Sequence, residues 1–306
     1  MLSWLAILFP CVWLLAECKR GRSDGTLLRT HPIRRLMYYI MPTRAESVVY
    51  FEVAPPADPL LGWVARARAH LDVDLTHALV ATVGLALERN PHLNRFVSGR
   101  RLYARRGRYV SFSMKRKQMD RAAQLSVVKL ELLDGERGRD LVARINAAVH
   151  RERSGEVTAT DREYALLDAL PRPVLRPLVW LVKVLDYYNL LPGFFLRSDG
   201  LYTSAFLANL GSLGMGAGFH HLYEWGNCPF FVLVGKVEER AVVEQGSVVV
   251  RRVLPVRFTY DERVDDGLAA AAGIQTFLDV LAAPDQWLGP PDGSAPLGGD
   301  SSSRSS

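Results

Sequence analysis

Of the 306 residues, 49% are hydrophobic, enough for one large core or two modest ones, and the formal net charge is +6. This composition excludes collagen-like, coiled-coil and wholly disordered chains, and its mild basic excess suits an anionic partner without choosing one. Three cysteines, Cys11, Cys18 and Cys228, have no metal-ligand spacing. With no disulfide framework the chain fits a reducing compartment, and no CxxC, HExxH or P-loop pattern points to a metal.

Met1 to Ala16 are apolar except for Ser3 and Pro10. As a helix they span roughly 24 Å, short of a ~30 Å hydrocarbon core. The basic residues Lys19, Arg20 and Arg22 follow the segment, whereas a secretory signal places them first. That asymmetry keeps the main domain on the cytoplasmic side of any membrane. Two readings stay open: a tether to the inner face of the membrane through residues 1–16, and a segment that does not span. The expected organisation is an apolar segment with a basic linker over 1–25, a folded domain over 26–286, and a disordered tail rich in Gly, Pro and Ser over 287–306.

Between these ends, strand and helix signals alternate. Ser47 to Val53 reads as a strand. Asp74 to Arg89 reads as a helix that starts at a capping residue and stops before Asn90-Pro91. Short strands are expected at Arg101–Tyr103 and Tyr109–Phe112 around the Arg106-Gly107 turn, then a helix over Gly138–Arg153. Val174–Leu191 is apolar but carries Arg176, Lys183 and Asp186, and is read as a buried or lid helix, with a membrane-surface helix as the rival. Phe230–Val237 reads as a central strand, Val249–Tyr260 as another, and Asp266–Leu281 as the last helix. The mixture predicts an α/β sandwich.

Three blocks carry a resemblance. The first runs Leu75-Thr-His-Ala-Leu-Val-Ala to Leu87-Glu-Arg-Asn-Pro-His-Leu-Asn94, with Gly99 and Leu102-Tyr103 after it. The second is Leu207-Ala-Asn-Leu-Gly-Ser-Leu-Gly214, and the third Asp261-Glu-Arg-Val-Asp-Asp-Gly267. In order and spacing they resemble the catalytic domain of the 2-oxo acid dehydrogenase (dihydrolipoamide) acyltransferases, whose third block reads DHRxxDG. The resemblance implies a two-layer α/β sandwich of the CoA-dependent, chloramphenicol acetyltransferase-like type. It also implies a homotrimer with active sites between subunits and a CoA thioester as substrate. The acyl acceptor is unknown. Neither a lipoyl domain nor a subunit-binding domain is recognisable, so no lipoyl group on this chain and no metal are expected, and a short stand-alone relative is the closer likeness.

The pattern breaks where the chemistry is done. The position of the family's general-base histidine holds Glu262, and the hydroxyl that stabilises the oxyanion is replaced by Ala208. A solvated glutamate, near pKa 4.3, is a weak base towards a thiol near 8.5 unless burial raises it. His220 and His221 are candidates for a relocated acid/base partner of Glu262; the plain alternative is packing or an interface. Asn209 and Asp266 complete the expected catalytic set, and Cys228 is read as buried and inert. Of the basic run Arg100 to Arg121, Arg105, Arg106 and Lys115 are the candidates for CoA phosphates, against a solvated basic face. Tyr103, Tyr109 and Phe112 fall there at strand spacing, so no nucleic acid is expected. The expected function is acyl transfer from a CoA thioester; the alternatives are a non-catalytic trimeric binding module and a membrane-surface protein.

Overall fold

A computed structural model of the chain describes residues 2–115, 125–154 and 167–298. A six-stranded mixed sheet organises it. Its strands are β2 (Val48–Val53), β5 (Arg108–Lys115), β6 (Leu125–Leu132), β7 (Ala205–Asn209), β8 (Phe230–Val234) and β11 (Val256–Asp261), in the order β2-β11-β8-β7-β5-β6. β5, β7 and β8 are parallel and the other pairs antiparallel. β1 (Gly25–Leu27), β3 (Arg95–Ser98) and β4 (Arg101–Arg105) form a second small sheet, and β9 (Glu238–Glu244) pairs with β10 (Ser247–Val253) as a hairpin.

One face of the large sheet carries the helices α3 (Asp58–Ala67), α4 (Leu75–Arg89), α5 (Gly138–Arg153), α8 (Gly267–Ala282) and α9 (Pro284–Trp287). Strand alternation sorts the two faces. Ala205, Leu207, Val232, Val234, Phe258 and Tyr260 join the main core with Leu79, Leu87, Ile274 and Phe277. Phe206, Phe231 and Leu233 point the other way and form a second cluster with Leu222, Cys228 and Ala208. This is the two-layer sandwich expected. β8 is buried along its whole length, as its apolar run predicts.

Four expectations are corrected. Val249–Tyr260 is two strands, because Leu254-Pro255 interrupts it and the chain moves from the hairpin to the large sheet; proline has no N–H for a ladder. The helix in Val174–Leu191, α6 (Arg172–Tyr187), contains no buried residue, so it is not a core element. The basic linker is part of the fold, since Arg22 is buried and Arg106 N–H donates to the Asp24 carbonyl beside β1. The tail is held as far as Gly298: Trp63 Nε1 donates to Gly289 O at 2.9 Å, and Leu297 N to Glu136 O at 2.9 Å. Residues 299–306, like Arg116, Lys117 and Arg121, lie outside the described residues.

Candidate functional site

Asn209 ends β7 and caps the 3-10 turn Leu210–Leu213. Its Oδ1 accepts from Ser212 N at 3.2 Å and its Nδ2 donates to Thr76 Oγ1 at 3.2 Å, tying the turn to the start of α4. Gly211 is required here because a Cβ would sit 2.5 Å from the Gly235 carbonyl oxygen, a contact between two backbones that no rotamer relieves. Gly211→Ala is therefore expected to push the turn off β8 and to cost about 1–3 kcal/mol, read as a lower urea midpoint.

Beside this turn lies a cavity of about 320 Å³ lined by Asp74, Thr76, His77, Lys115, Arg153 and Asn209, among others. Asp74 caps α4, accepting from Thr76 N at 2.8 Å and His77 N at 3.2 Å. Burial works to raise the Asp74 carboxyl, but the His77 ring and these backbone N–H groups hold it below its ordinary value. Asn146 donates through Nδ2 to Asp72 O at 2.7 Å, so its Oδ1 faces His77 Nε2, 2.9 Å away, and that nitrogen is the donor. His77 Nδ1 stands 2.8 Å from Asp74 Oδ1 and 3.2 Å from the Asp74 N–H. Sequence reasoning assigned Asp74 to capping but missed His77, Thr76 and Asn146. The available signal was the spacing Asp74-x-x-His77, a capping box with histidine in the third position.

The third block is mostly structural. Asp261 and Arg263 form a buried ion pair at 2.9 Å, with Ser47 Oγ donating to Asp261 Oδ1 at 3.0 Å. Asp265 gathers Arg34, His92 and Arg95. Asp266 caps α8 through Leu268 N and Ala269 N. Glu262 projects outward; its side chain is exposed and has no hydrogen bond or ion pair among the described residues.

His220 and His221 sit elsewhere. The His220 ring lies parallel to Phe231, with centroids 4.9 Å apart, and parallel to His221, with Tyr223 edge-on. Its Nδ1 donates to His221 O at 2.6 Å, which leaves Nε2 as the basic atom, 3.4 Å from the Tyr223 hydroxyl. Among the described residues no hydrogen bond joins either histidine to Glu262, so the expected pairing is not formed within one chain. Ala208 faces the same cluster, packed against apolar side chains.

Sheet register separates the remaining candidates. Asn209 pairs with Val234, and Val234 with Val256, while Glu262 follows Asp261 at the far end of β11. Six residues of extended chain place Glu262 about 20 Å from the level of Asn209 along the strands. The expected catalytic set thus occupies opposite ends of the sheet.

The basic hairpin is also divided. Arg105 is an interior residue, bonded to Asn227 Oδ1 at 2.8 Å and stacked over Phe96, with its pKa brought down by burial to about 10. Enclosed in this way it does not line the cavity at Asn209, which corrects the cofactor-binding expectation; a guanidinium in a sequence looks like surface whether or not a carboxylate and an aromatic ring enclose it. Arg106 is exposed, and its side chain makes a single 3.5 Å contact, to Thr26 Oγ1, among the described residues. Arg108 pairs with Glu88 and Asp134. Lys115 alone of the three lines the cavity at Asn209. Cys228 is buried with its thiol pushed up to about 11 by burial, as its inert reading requires. A second cavity, of about 410 Å³, is lined by Arg44, Arg100, Lys183, Asp186, Glu224 and Arg263, among others, and by none of the predicted site residues.

Residues 203–289 match the family described as 2-oxoacid dehydrogenases acyltransferase (catalytic domain). Among solved structures, a probable dihydrolipoamide acetyltransferase from Listeria monocytogenes is 14% identical, with a TM-score of 0.55 over 84% of this chain and 94% of that one. The dihydrolipoamide acetyltransferase of Azotobacter vinelandii, in which a serine, a histidine and an asparagine have been investigated for catalysis, is 18% identical, with a TM-score of 0.54 over 84% and 93%. A truncated catalytic core of the 2-oxoacid dehydrogenase multienzyme complex from Thermoplasma acidophilum is 17% identical, with a TM-score of 0.51 over 85% and 99%. No curated protein matches the sequence. The fold is that of these acyltransferase cores, as the three sequence blocks lead one to expect.

Proposed function

We propose that this chain, which has the fold of dihydrolipoamide acetyltransferase cores and matches their family over residues 203–289, is a self-associating acyltransferase whose site is completed between subunits. The observation that carries the reading is the roughly 20 Å between Asn209 and Glu262 in one chain. A second copy, placed with its Glu262 against the first copy's sheet, would bring the two ends together. The surface next to Glu262 suits such a contact: α2 (Pro32–Ile40), whose Arg34 reaches the Glu262 and Arg263 carbonyls, leaves Ile33, Leu36 and Ile40 exposed. We assign this apolar face to self-association, as a trimer by likeness to the family.

In this reading the cavity at Asn209 receives the pantetheine arm of a CoA thioester, with Lys115 and Arg153 nearest its phosphates. An acceptor thiol gives its proton to the Glu262 carboxylate of the neighbouring subunit as sulfur attacks the thioester carbonyl. The tetrahedral intermediate collapses, CoA leaves as thiolate, and Glu262 returns the proton to it. A second reading, a binding module without turnover, is favoured by one observation: Ala208 packs among apolar side chains and offers no hydroxyl to an oxyanion.

The test is thermal unfolding with and without CoA or acetyl-CoA, on the natural chain and on Lys115→Gln/Arg153→Gln. A ligand at about a hundred times its Kd stabilises by about 2.7 kcal/mol, so the natural chain should melt several degrees higher and the double variant should lose most of that shift. No shift at millimolar ligand overturns both readings. A shift without loss of acetyl-CoA in the presence of a dithiol leaves only the binding module.

A further inference from the structure

Exposed apolar side chains run along two helices that touch at Tyr188. α1 (Leu2–Cys18) arrives there. Its C-terminal end is fixed to the domain, with Arg101 donating to the Glu17 and Lys19 carbonyls, Asn189 to Lys19 O, and Tyr103 to Arg20 O. Above that point only Trp13, through its Nε1 to Tyr188 Oη at 3.2 Å, hydrogen-bonds to the body of the protein among the described residues. Val12, Trp13, Leu14 and Leu15 are all exposed, from 50% to 72%. At 100° per residue, four consecutive exposed positions leave no side of the helix covered. α6 ends at the same place and exposes Val174, Val179, Trp180 and Leu181, and Leu190 and Phe194 follow it. Exposed apolar side chains in this number, on two helices that meet, mark an interaction face.

Charge decides what covers it. The acids of the two helices are already neutralised: Glu17 by Arg101 at 3.5 Å, and Asp186 by Arg22 at 2.9 Å. Lys19, Arg20, Arg172, Arg176 and Lys183 remain around the face as exposed cations. Exposed indoles beside lysines and arginines fit the boundary between lipid headgroups and acyl chains. At about 25 Å, and with Pro10 inside it, α1 is short of a ~30 Å hydrocarbon core. Among the described residues no helix is long and apolar enough to cross a membrane. We propose that α1 and α6 together form a docking face for an anionic lipid bilayer, on which α1 lies in the interface and the Lys183 side of α6 meets the headgroups. The proposal is independent of acyl transfer: a protein with no CoA affinity would still show it.

The experiment is flotation of the full chain with vesicles of phosphatidylcholine, with and without phosphatidylserine. The protein should float with the anionic vesicles and bind at least about tenfold more weakly to neutral ones or at high salt, the effect of one or two basic residues at such a surface. Trp180→Glu and, separately, Arg176→Gln/Lys183→Gln should each weaken binding about tenfold without changing the melting temperature, since all three side chains are exposed. Absence of flotation with either vesicle overturns the proposal. So does a Trp180→Glu chain that floats normally, or one that instead sediments as a smaller species, which would make this face a contact between copies.

Discussion

Arg22→Met is expected to cost about 3–5 kcal/mol of folding stability, because it removes the cation from a buried network and leaves the anions behind. The Arg22 side chain is 1% exposed and spans two carboxylates, Asp24 and Asp186, each at 2.9 Å. It also donates to Ser98 Oγ and Asn189 Oδ1 and lies over Phe96 and Tyr103. Burial works against the charge on Arg22, but the two aspartates more than offset it and hold its pKa above the ordinary value. Methionine restores the volume and none of the charge. Asp24 keeps Arg105 at 4.0 Å, whereas Asp186 keeps no other ion pair among the described residues. The companion Arg22→Met/Asp186→Leu should be more stable than the single variant, since it removes the stranded charge as well. Urea unfolding measures both.

The pH dependence of that deficit separates the two aspartates. Burial pushes the Asp186 carboxyl up even beside Arg22, and the variant raises it further. Between an unfolded value near 3.8 and the higher folded one, the folded state binds more protons, so stability falls as pH rises. The deficit of Arg22→Met should therefore shrink on going from about pH 7 to about pH 5. Asp24 has the opposite sign. Burial raises it, but Arg22, Arg105 and Asn227 outweigh burial and hold it low. In the natural chain its contribution is present above about 3.8 and lost as pH falls through the lower folded value. Losing Arg22 raises either carboxylate, so the deficit shrinks on acidification in both cases; if Asp24, not Asp186, is the anion that depends on Arg22, the shrinkage continues below about pH 3.8, where the Asp24 of the natural chain still holds its charge.

This network also marks where the sequence stopped being legible. Hydrophobic period and punctuation carry α4, because Asp74 and Asn90-Pro91 bound it, and β8, because its run is apolar on both faces. A buried arginine has no such signature; Arg22 reads as part of a basic linker until Asp186, a hundred and sixty-four positions away, closes over it. The Gly- and Pro-rich segment after Leu288 reads as disordered because few side chains pack, yet its backbone bonds hold it to Glu136 and Trp63. At the site, the Asn-Leu-Gly turn was legible because Gly211 has a steric reason that survives divergence. The grouping of Glu262 with His220 and His221 was not, since nearness along β11 and the preceding loop says nothing about which face or end of the sheet a side chain meets.

The ends of the sheet give the sharpest test of the proposed chemistry. Glu262→Gln removes the base and should lower acyl transfer by about 10² to 10⁴. Asn209→Ala removes a donor at the cavity and a tie to Thr76, and should lower it by about 10² to 10³. Neither variant alone should be appreciably active. If each site takes Glu262 from one copy and Asn209 from the next around a closed ring, then co-refolding the two variants in equal amounts rebuilds natural sites. A site is whole wherever the Glu262 of an Asn209→Ala chain meets the Asn209 of a Glu262→Gln chain, which random assembly gives about a quarter of the time. Activity should return to about a quarter of the natural level. A site contained in one chain predicts no recovery, because every chain in the mixture is then missing one of its own groups. Recovery would also identify Glu262 as a working base despite its exposure in the single chain, since an idle residue on the surface has nothing to complement.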